Sequence, residues 1–362
     1  MASPPAALRV AVGPLPLTGG VKTHISGLAR NSRHRISLIR YSPWSPFFPG
    51  FPGIGSALHR NPRLPRWDPY GFGYRELVLR WFDVVHTHAH PVWPAAYEDP
   101  RGPGRIHTVH QVYDRDDATD ERHWRLLRNL NEEMVRVCRR VDRVVAVSRA
   151  LADLLSERYS LDAIVIPNGI DFSPPPAEEG DLPAGVPDRG YVLFVGHLGP
   201  VKRPDLVLRL AAALPDRPFV MVGPGLQRSA LEVRFGTLPP NLIALGPLDN
   251  AHVRRMMRHA HLVVQTSVRE SASIVVLEAL AERTRVVAPA LPCNRELFAP
   301  DLALFEVGDF GALLDLTLRT WDMPSPTLGS LDRFRSRHDI RAVTRQVDEL
   351  YEEVSEGSPR TP

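Results

Sequence analysis

Short apolar segments alternate with longer amphipathic stretches along most of the chain. This alternation is typical of βαβ units, in which helices join the parallel strands of one sheet. The pattern predicts six strands in the first half, at 8–13, 35–41, 83–88, 105–110, 143–148 and 163–167. It predicts six more in the second half, at 191–196, 219–223, 241–246, 261–267, 285–290 and 303–307. A long helix from about Asp120 to Arg140 and a terminal amphipathic helix near 339–355 complete the expected elements.

Proline and glycine interrupt this pattern twice. One interruption, 172–190, predicts a linker between two domains. The N-terminal domain would comprise 1–171 and the C-terminal domain 191–330. Residues 331–362 are expected to form a helical segment that packs back towards the N-terminal domain. The other interruption, 43–74, lies within the predicted N-terminal domain and is dense in proline, glycine and aromatic residues. Two interpretations of it stay open: a functional loop that lines an acceptor site or touches a membrane surface, and a proline-stiffened excursion packed on its own domain.

Composition and charge bear on partners and compartment. The 44 basic and 41 acidic residues give a formal net charge of +3, and the arginines are spread without a long basic run. Proteins that bind nucleic acid concentrate positive charge on one face, so no nucleic-acid partner is expected. Cys138 and Cys293 match neither a metal motif nor a disulfide framework, which predicts two free thiols in a reducing compartment. Because no signal peptide and no membrane-spanning stretch of ~20 apolar residues is evident, we expect a cytoplasmic protein.

The segment VVQTSVRESASIVVLEALAE offers two carboxylates, Glu270 and Glu278. Glu270 comes directly before a helix expected to begin near Ser271, and the small Ser271, Ala272 and Ser273 would let an anion approach its free amides. Glu278 would lie a little over two turns deeper, so that the two carboxylates could serve different ends of one extended ligand. Taken alone, Glu278 is more typical of an ordinary surface residue of a helix. Its apolar flanks, VVL and ALA, favour a paired or functional carboxylate.

The first strand of the second half opens into GHLGPVK. Gly196 and Gly199 would let the backbone approach a diphosphate, and Lys202 would place a positive charge where a leaving group develops negative charge. Arg203 lies beside it, and Pro204 suits the first turn of the next helix. On position alone, an ordinary surface lysine near a helix start is the commoner case.

A paired glycine, Gly19 and Gly20, follows the first strand. The run GPLPLTGGVKTH does not match G-x-G-x-x-G, so a nicotinamide cofactor is not supported. Two glycines before a helix still permit close approach to a substrate.

Histidines cluster after two strands of the first half. His86, His88 and His90 alternate, so they would share one face of a strand, and their position after strands predicts that they face the ligand cleft. No carboxylate–histidine motif accompanies them, and a zinc site is not favoured. His110, at a strand end, is the better candidate for touching a bound sugar.

Taken together, these motifs resemble retaining glycosyltransferases of family 4. The resemblance covers nearly the whole chain, in order: the Gly19–Gly20 loop, DVVHTH, IHTVH, RVVAVS, IPNGID (166–171), VGHLGPVKRPD, VGPG (222–225) and the Glu270–Glu278 pair. It implies an α/β, GT-B-like chain with two Rossmann-like, doubly wound domains facing a cleft. It also implies a UDP- or GDP-linked sugar as co-substrate, with no metal and no other cofactor.

The resemblance also implies roles for particular residues. Lys202 would hold the diphosphate, Glu278 the ribose and Glu270 the sugar hydroxyls, while His110 would contact the donor sugar. The remaining expected donor contacts are Gly19, Gly20, Gly196, His197, Arg203, Gly223, Ser271, Ala272 and Ser273. The acceptor, bound mainly by the N-terminal domain, would be a small molecule, a glycoside or a lipid, with peripheral membrane contact in the last case. Attack on the face of departure would let the diphosphate assist deprotonation of the acceptor.

The chain departs from the family pattern at three places. His197 stands where arginine is common, which weakens the positive clamp unless His197 is charged or Arg203 compensates. The glycines usual at 271–273 are replaced by Ser-Ala-Ser, and the usual glycine pair is absent from PALPCNREL (289–297). These departures change donor choice or reduce activity.

Two other functions therefore stay open. The first is a different reaction on the same fold, as in a nucleotide-sugar epimerase or a phosphorolytic enzyme, which product analysis with donor alone would detect. The second is a catalytically degenerate subunit that only binds the nucleotide-sugar, which a large loss of turnover in Glu270→Gln would exclude.

Overall fold

The computed structural model describes residues 7–15, 19–40, 81–88, 102–173, 182–298, 302–323 and 328–357. The proline- and aromatic-rich segment 43–74 and His90 lie outside these residues. The chain divides into two compact units. The first comprises Met1–Tyr113, Arg125–Asp171 and Asp339–Pro362, and the second comprises Asp114–Trp124 and Phe172–His338.

Strands and helices alternate along the described chain. The strands are β1 (Arg9–Leu15), β2 (Arg35–Arg40), β3 (Val84–His88), β4 (Gly104–Val109), β5 (Arg143–Ala146), β6 (Ile164–Val165), β7 (Val192–Val195), β8 (Phe219–Val222), β9 (Leu242–Gly246), β10 (Leu262–Val264), β11 (Arg285–Pro289) and β12 (Ala303–Phe305). The helices are α1 (Gly20–Asn31), α2 (Glu121–Cys138), α3 (Arg149–Tyr159), α4 (Pro204–Ala213), α5 (Arg228–Phe235), α6 (Asn250–His259), α7 (Ile274–Ala281), α8 (Pro292–Phe298), α9 (Phe310–Asp322), α10 (Leu328–His338) and α11 (Ile340–Gly357).

The first unit contains a parallel sheet of six strands in the order β2-β1-β3-β4-β5-β6. Its core joins apolar side chains of β1, β3 and β4 to α1 and α11. The buried positions of α11 recur every three or four residues, which is why this helix closes the core: Ile340, Val343, Val347, Leu350, Tyr351 and Val354. Burial of each such side chain contributes roughly 1.5–3 kcal/mol.

The second unit contains another parallel sheet of six strands, in the order β12-β11-β10-β7-β8-β9. The chain builds outward from β7 through β8 to β9, and then returns to place β10 on the other side of β7. The strand order therefore reverses between β7 and β10. In doubly wound sheets, ligands bind beyond the carboxyl ends of the strands at such a reversal.

The predicted α/β class with two doubly wound parallel sheets is confirmed. Every predicted strand is present, with ends that differ by a few residues, and the predicted long and terminal helices are α2 and α11. One helix start was wrong: α7 begins at Ile274, whereas the sequence suggested Ser271. Within the described ranges, no helix is both long enough and apolar enough to cross a membrane.

Candidate active site

Two loops meet at the reversal point of the second sheet. The loop after β7 carries a 3-10 turn, Pro200–Lys202, and Arg203 follows in the left-handed conformation with φ 46°. The loop after β10 is joined to it by hydrogen bonds. The Thr266 hydroxyl donates to the carbonyls of Lys202 (2.7 Å) and Arg203 (3.0 Å), and the Val268 amide donates to the Val201 carbonyl (2.9 Å). The two loops therefore present their side chains as one surface.

Lys202 and Glu270 form an ion pair on this surface. Lys202 Nζ lies 2.5 Å from Glu270 Oε1, and the side chains are 22% and 12% exposed, respectively. The same carboxylate oxygen accepts hydrogen bonds from Ser267 Oγ (2.7 Å) and Gln265 Nε2 (3.2 Å). An ammonium and two neutral donors thus hold one carboxylate oxygen, which fixes the orientation of Glu270. The structure brings together two of the residues that the sequence analysis named as donor contacts.

A second ion pair anchors the residue before Glu270. Arg269 contacts Asp117 (2.6 Å) and Asp114 (3.2 Å) in the segment of the second unit that precedes α2. The loop after β10 is thereby fixed on both sides of Val268. Sequence reasoning did not find this contact, because it joins distant parts of the chain.

Two buried amides lie behind Glu270, and the sequence analysis missed both as functional candidates. Asn294, on α8, donates through Nδ2 to Gln265 Oε1 and to the Pro289 carbonyl, both at 2.9 Å. Gln265 in turn donates through Nε2 to Ser273 Oγ (2.8 Å) as well as to Glu270. The only sequence signal was a glutamine directly after the apolar strand β10.

Cys293 supports the backbone of the same loop. Its thiol lies 3.2 Å from the Glu270 carbonyl, to which it donates. Burial, reinforced by the nearby Glu270 carboxylate, raises the pKa of this thiol to about 12. Cys293 therefore remains a thiol at neutral pH.

The start of α7 corrects one part of the predicted geometry. The Ser273 hydroxyl accepts from the Val276 amide (3.4 Å), so Ser273 is the N-cap, and Ser271 and Ala272 belong to the loop. Because the helix begins after Ser273, Glu278 lies in its second turn and not a little over two turns beyond Glu270. The predicted role of 271–273 towards phosphate stays a prediction.

Glu278 is buried, with 4% of its surface exposed. Asn250 Nδ2 donates to its Oε1 at 2.6 Å. Burial raises the pKa of Glu278 to about 7, against the opposing effects of the Asn250 hydrogen bond and the Arg254 charge. The apolar flanks in the sequence indicated a paired carboxylate, and Asn250 on α6 is its partner. Glu278 is therefore held separately from the Lys202–Glu270 pair.

The positive charge of the site comes from Lys202. Burial, followed by the charge of Lys202, lowers the pKa of His197, so this side chain is neutral at neutral pH. Arg203 donates to both carboxylate oxygens of Asp205, from Nε at 2.8 Å and from Nη2 at 2.7 Å. A charged His197 therefore does not replace the arginine, and the predicted donor contact of Arg203 stays a prediction.

Glycines allow the loops after β7 and β8 to touch. A Cβ on Gly223, whose φ is 140°, would lie 1.6 Å from the Gly196 carbonyl oxygen. The Gly196 amide donates to the Val222 carbonyl (3.0 Å), and the Leu198 amide donates to the Pro224 carbonyl (2.9 Å). No other residue fits at Gly223 without separating the loops.

The glycine pair of the first unit has a simpler role. Gly19 precedes α1 with φ 89°, and nothing lies within 4 Å of the position of a Cβ there. Its backbone conformation therefore favours glycine, while packing does not require it. Gly20 is the first residue of α1. The expected donor contacts of both residues stay predictions.

His86, His88 and His110 are buried in the first unit. His86 and His88 share one face of β3, as expected, with ring centroids 4.1 Å apart, but both are fully buried. The prediction that they face a ligand cleft was wrong, because α11 covers that face and Tyr351 Oη contacts His86 Nδ1 at 2.9 Å. His110 is also buried, with Nε2 at 3.0 Å from His88 Nδ1. Burial lowers the pKa of all three histidines, which are neutral at neutral pH.

Among the residues that the structure describes, no group of three or more His, Cys, Asp or Glu side chains is arranged to hold a metal ion.

Two doubly wound parallel sheets of six strands are the architecture of GT-B glycosyltransferases. Residues 18–173 match the sequence model of Glycosyltransferase Family 4, and residues 184–319 match that of Glycosyl transferases group 1. The chain belongs to glycosyltransferase family 4, as its motifs predicted. The predicted enzyme class, a hexosyltransferase, is confirmed by these matches and by the relatives.

Named relatives are similar to the chain to different extents. The phosphatidyl-myo-inositol mannosyltransferase of Mycolicibacterium smegmatis is 28% identical, over 93% of this chain and 91% of that protein. The D-inositol 3-phosphate glycosyltransferase of Salinispora arenicola is 30% identical, over 58% of this chain and 54% of that protein. This chain thus spans about half the length of that relative. The structure of Anabaena HepE in complex with UDP and glucose is similar in fold, with a TM-score of 0.67, 16% identity and coverage of 96% of this chain and 100% of that one.

Proposed function

We propose that the chain is a retaining glycosyltransferase that moves a sugar from a UDP- or GDP-linked donor to a hydroxyl of its acceptor. The observation that supports this proposal most is the contact of Lys202 with Glu270, 2.5 Å apart at the reversal point of the second sheet. A fixed carboxylate and a cation at such a point suit a ligand that carries sugar hydroxyls at one end and phosphates at the other.

The proposed reaction breaks the bond between the anomeric carbon and the diphosphate oxygen. The acceptor oxygen forms its bond to the same face of the anomeric carbon, and the acceptor proton passes to the departing diphosphate. Lys202 leaves part of its interaction with Glu270 to stabilise the charge that develops on the diphosphate. Glu270 then accepts hydrogen bonds from sugar hydroxyls. No metal and no further cofactor takes part in this scheme. The contact of His110 with the donor sugar stays a prediction from the sequence.

Glu278 is proposed to bind the ribose of the nucleotide. Because its pKa is raised to about 7, the carboxyl group of Glu278 is partly ionised at neutral pH. The ionised form accepts hydrogen bonds from the ribose hydroxyls. Its buried position beside Asn250 gives it one fixed orientation.

An inositol-bearing acceptor is proposed from the names of the relatives. Both the phosphatidyl-myo-inositol mannosyltransferase and the D-inositol 3-phosphate glycosyltransferase act on an inositol ring, one in a lipid and the other in a soluble phosphate. We place the reaction in the cytoplasm, where the free, buried Cys138 and Cys293 stay reduced.

The test combines product analysis with one variant. Purified protein is incubated with UDP- and GDP-sugars and with inositol, inositol phosphate or phosphatidylinositol, and the anomeric configuration of the product is read by NMR. The proposal expects a glycoside with the configuration of the donor. A product of inverted configuration would contradict retention, and an altered sugar formed from donor alone would favour the epimerase.

Glu270→Gln decides between a catalyst and a degenerate binding subunit. Loss of one fixed electrostatic contact typically costs on the order of 3 kcal/mol of barrier, or about 100-fold in kcat. Glu306→Gln is the matched control, since Glu306 pairs with Arg295 on the surface. If Glu270→Gln and Glu306→Gln turn over donor as fast as the wild type, the catalytic role of this site is refuted.

A further inference from the structure

The buried amides of Gln265 and Asn294 form a chain of hydrogen bonds that ends on Glu270. We propose that this pair positions the Glu270 carboxylate and the Ser273 hydroxyl for donor binding. The proposal rests on the function proposed above, because it assigns the residues that orient a group of that site. Neither amide is expected to touch the donor, so both are positioning residues.

The direction of each hydrogen bond follows from one backbone atom. The Pro289 carbonyl can only accept, so the Asn294 group that lies 2.9 Å from it must be the amide nitrogen. The second hydrogen of that nitrogen then points to Gln265 Oε1, also at 2.9 Å. The amide nitrogen of Gln265 is thereby turned towards Glu270 and Ser273. The Pro289 carbonyl of β11 therefore sets the donor and acceptor direction of every hydrogen bond in this series up to Glu270.

Every hydrogen of the two amide nitrogens has an acceptor. Asn294 donates to Gln265 and Pro289, and Gln265 donates to Glu270 Oε1 (3.2 Å) and Ser273 Oγ (2.8 Å). Asn294 is fully buried and Gln265 is nearly so. Polar groups this deep keep their partners, because an unpaired one is costly. Gln265 and the equally buried Ser267 therefore hold Glu270 Oε1 from the interior, while the partly exposed Lys202 supplies the third contact.

A purely structural role for these amides makes a different prediction from a positioning role. In a structural pair, replacing both amides by apolar side chains of similar shape removes the buried unpaired group and restores the protein. In a positioning pair, the same double replacement restores stability but leaves Glu270 free to reorient. Stability and turnover would then separate.

The experiment uses Gln265→Met, Asn294→Leu and the double variant of the full chain. The denaturant midpoint of unfolding is measured without ligand, and kcat and KM for the donor are measured in the transfer assay. Each single variant is expected to lower the midpoint, and the double variant to recover most of it. In all three variants, kcat is expected to fall about 10-fold to 100-fold, with a smaller change in KM.

A second arm asks whether Gln265 acts through Glu270. In a Glu270→Gln background, Gln265→Met is expected to have little further effect on residual turnover, because the group that it orients is already altered. Asn241→Leu is the control for destabilisation, since Asn241 donates to the carbonyls of Ala211, Leu214 and Arg217 at the opposite edge of the sheet. It is expected to lower the midpoint and to leave kcat unchanged.

The outcomes separate this inference from the proposed function. Recovery of kcat together with the midpoint in the double variant would overturn the positioning role, as would full additivity of Gln265→Met with Glu270→Gln. A wild-type chain that turns over no nucleotide-sugar would instead refute the proposed function, and the positioning role with it. Low kcat at a recovered midpoint, with the Asn241 control active, would establish the proposal.

Discussion

We expect the variant His24→Asn to lose less unfolding free energy than the wild type when the pH is lowered into the mildly acidic range. His24 is buried on α1, and its Nδ1 accepts a hydrogen bond from the Gly169 amide at 3.2 Å. Its ring lies 6.0 Å from that of His88 and 5.9 Å from that of His110. Burial lowers the pKa of His24 from 6.5 to about 4. The unfolded chain therefore binds a proton at a pH where the folded chain does not.

The sign and size of the effect follow from linkage. Above the unfolded-state pKa of 6.5, His24 is neutral in both states and does not change the free energy of unfolding. As the pH falls from 6.5 towards 4, the unfolded chain binds a proton that the folded chain does not, so the free energy of unfolding decreases. Between about pH 7 and about pH 5, His24 alone should cost about 2 kcal/mol of unfolding free energy. His86, His88 and His110 act in the same direction, because burial also lowers their pKa.

The assay is urea unfolding of wild type and variant, followed by tryptophan fluorescence at about pH 7 and about pH 5. Any loss of the Gly169 hydrogen bond affects both pH values alike, so the difference between them isolates the titration of His24. His252→Asn, at an exposed position on α6, should lose stability on acidification as the wild type does. Equal acid losses in His24→Asn and the wild type would refute the reasoning.

Other consequences concern the second unit. Lys202→Ala should lower kcat/KM for the donor about 100-fold, because one preorganised charge is lost, whereas the same replacement at exposed Lys22 should not. Gly223→Ala should destabilise the fold by about 3 kcal/mol or more in thermal unfolding, because its Cβ would lie 1.6 Å from a backbone oxygen of the neighbouring loop. Gly236→Ala, with φ 79° and open space around it, should cost only about 1–2 kcal/mol. In the wild type, KM for the donor should rise as the pH falls through 7, the region to which burial raises the pKa of Glu278, and Glu278→Gln should abolish that dependence.

Local patterns were sufficient for the strands and for naming Lys202 and Glu270 as candidate site residues. Apolar runs of four to seven residues marked each strand because parallel strands are buried on both faces. Lys202 and Glu270 each follow such a strand, and the reversal of strand order between β7 and β10 brings them together. The sequence also indicated that Glu278 has a partner, because a carboxylate among apolar residues is costly to bury unpaired.

Contacts between residues far apart in the chain could not be predicted from the sequence. The histidines of β3 were expected at a ligand surface, but His86 pairs with Tyr351, 265 residues later in the chain. The Gln265–Asn294 pair requires the loop after β10 and the start of α8 to lie side by side, which no periodic pattern encodes. The start of α7 was misplaced because either Ser271 or Ser273 suits an N-cap, and only the path of the loop selects the second.

The pairing of charges around Lys202 has a consequence for the speed of donor capture. With Lys202 matched by Glu270, Arg203 matched by Asp205 and His197 neutral, these groups carry no net charge before the donor arrives. A nucleotide diphosphate is then not drawn in from a distance by this cluster. It enters by exchanging partners at short range, so its association rate should change little with ionic strength.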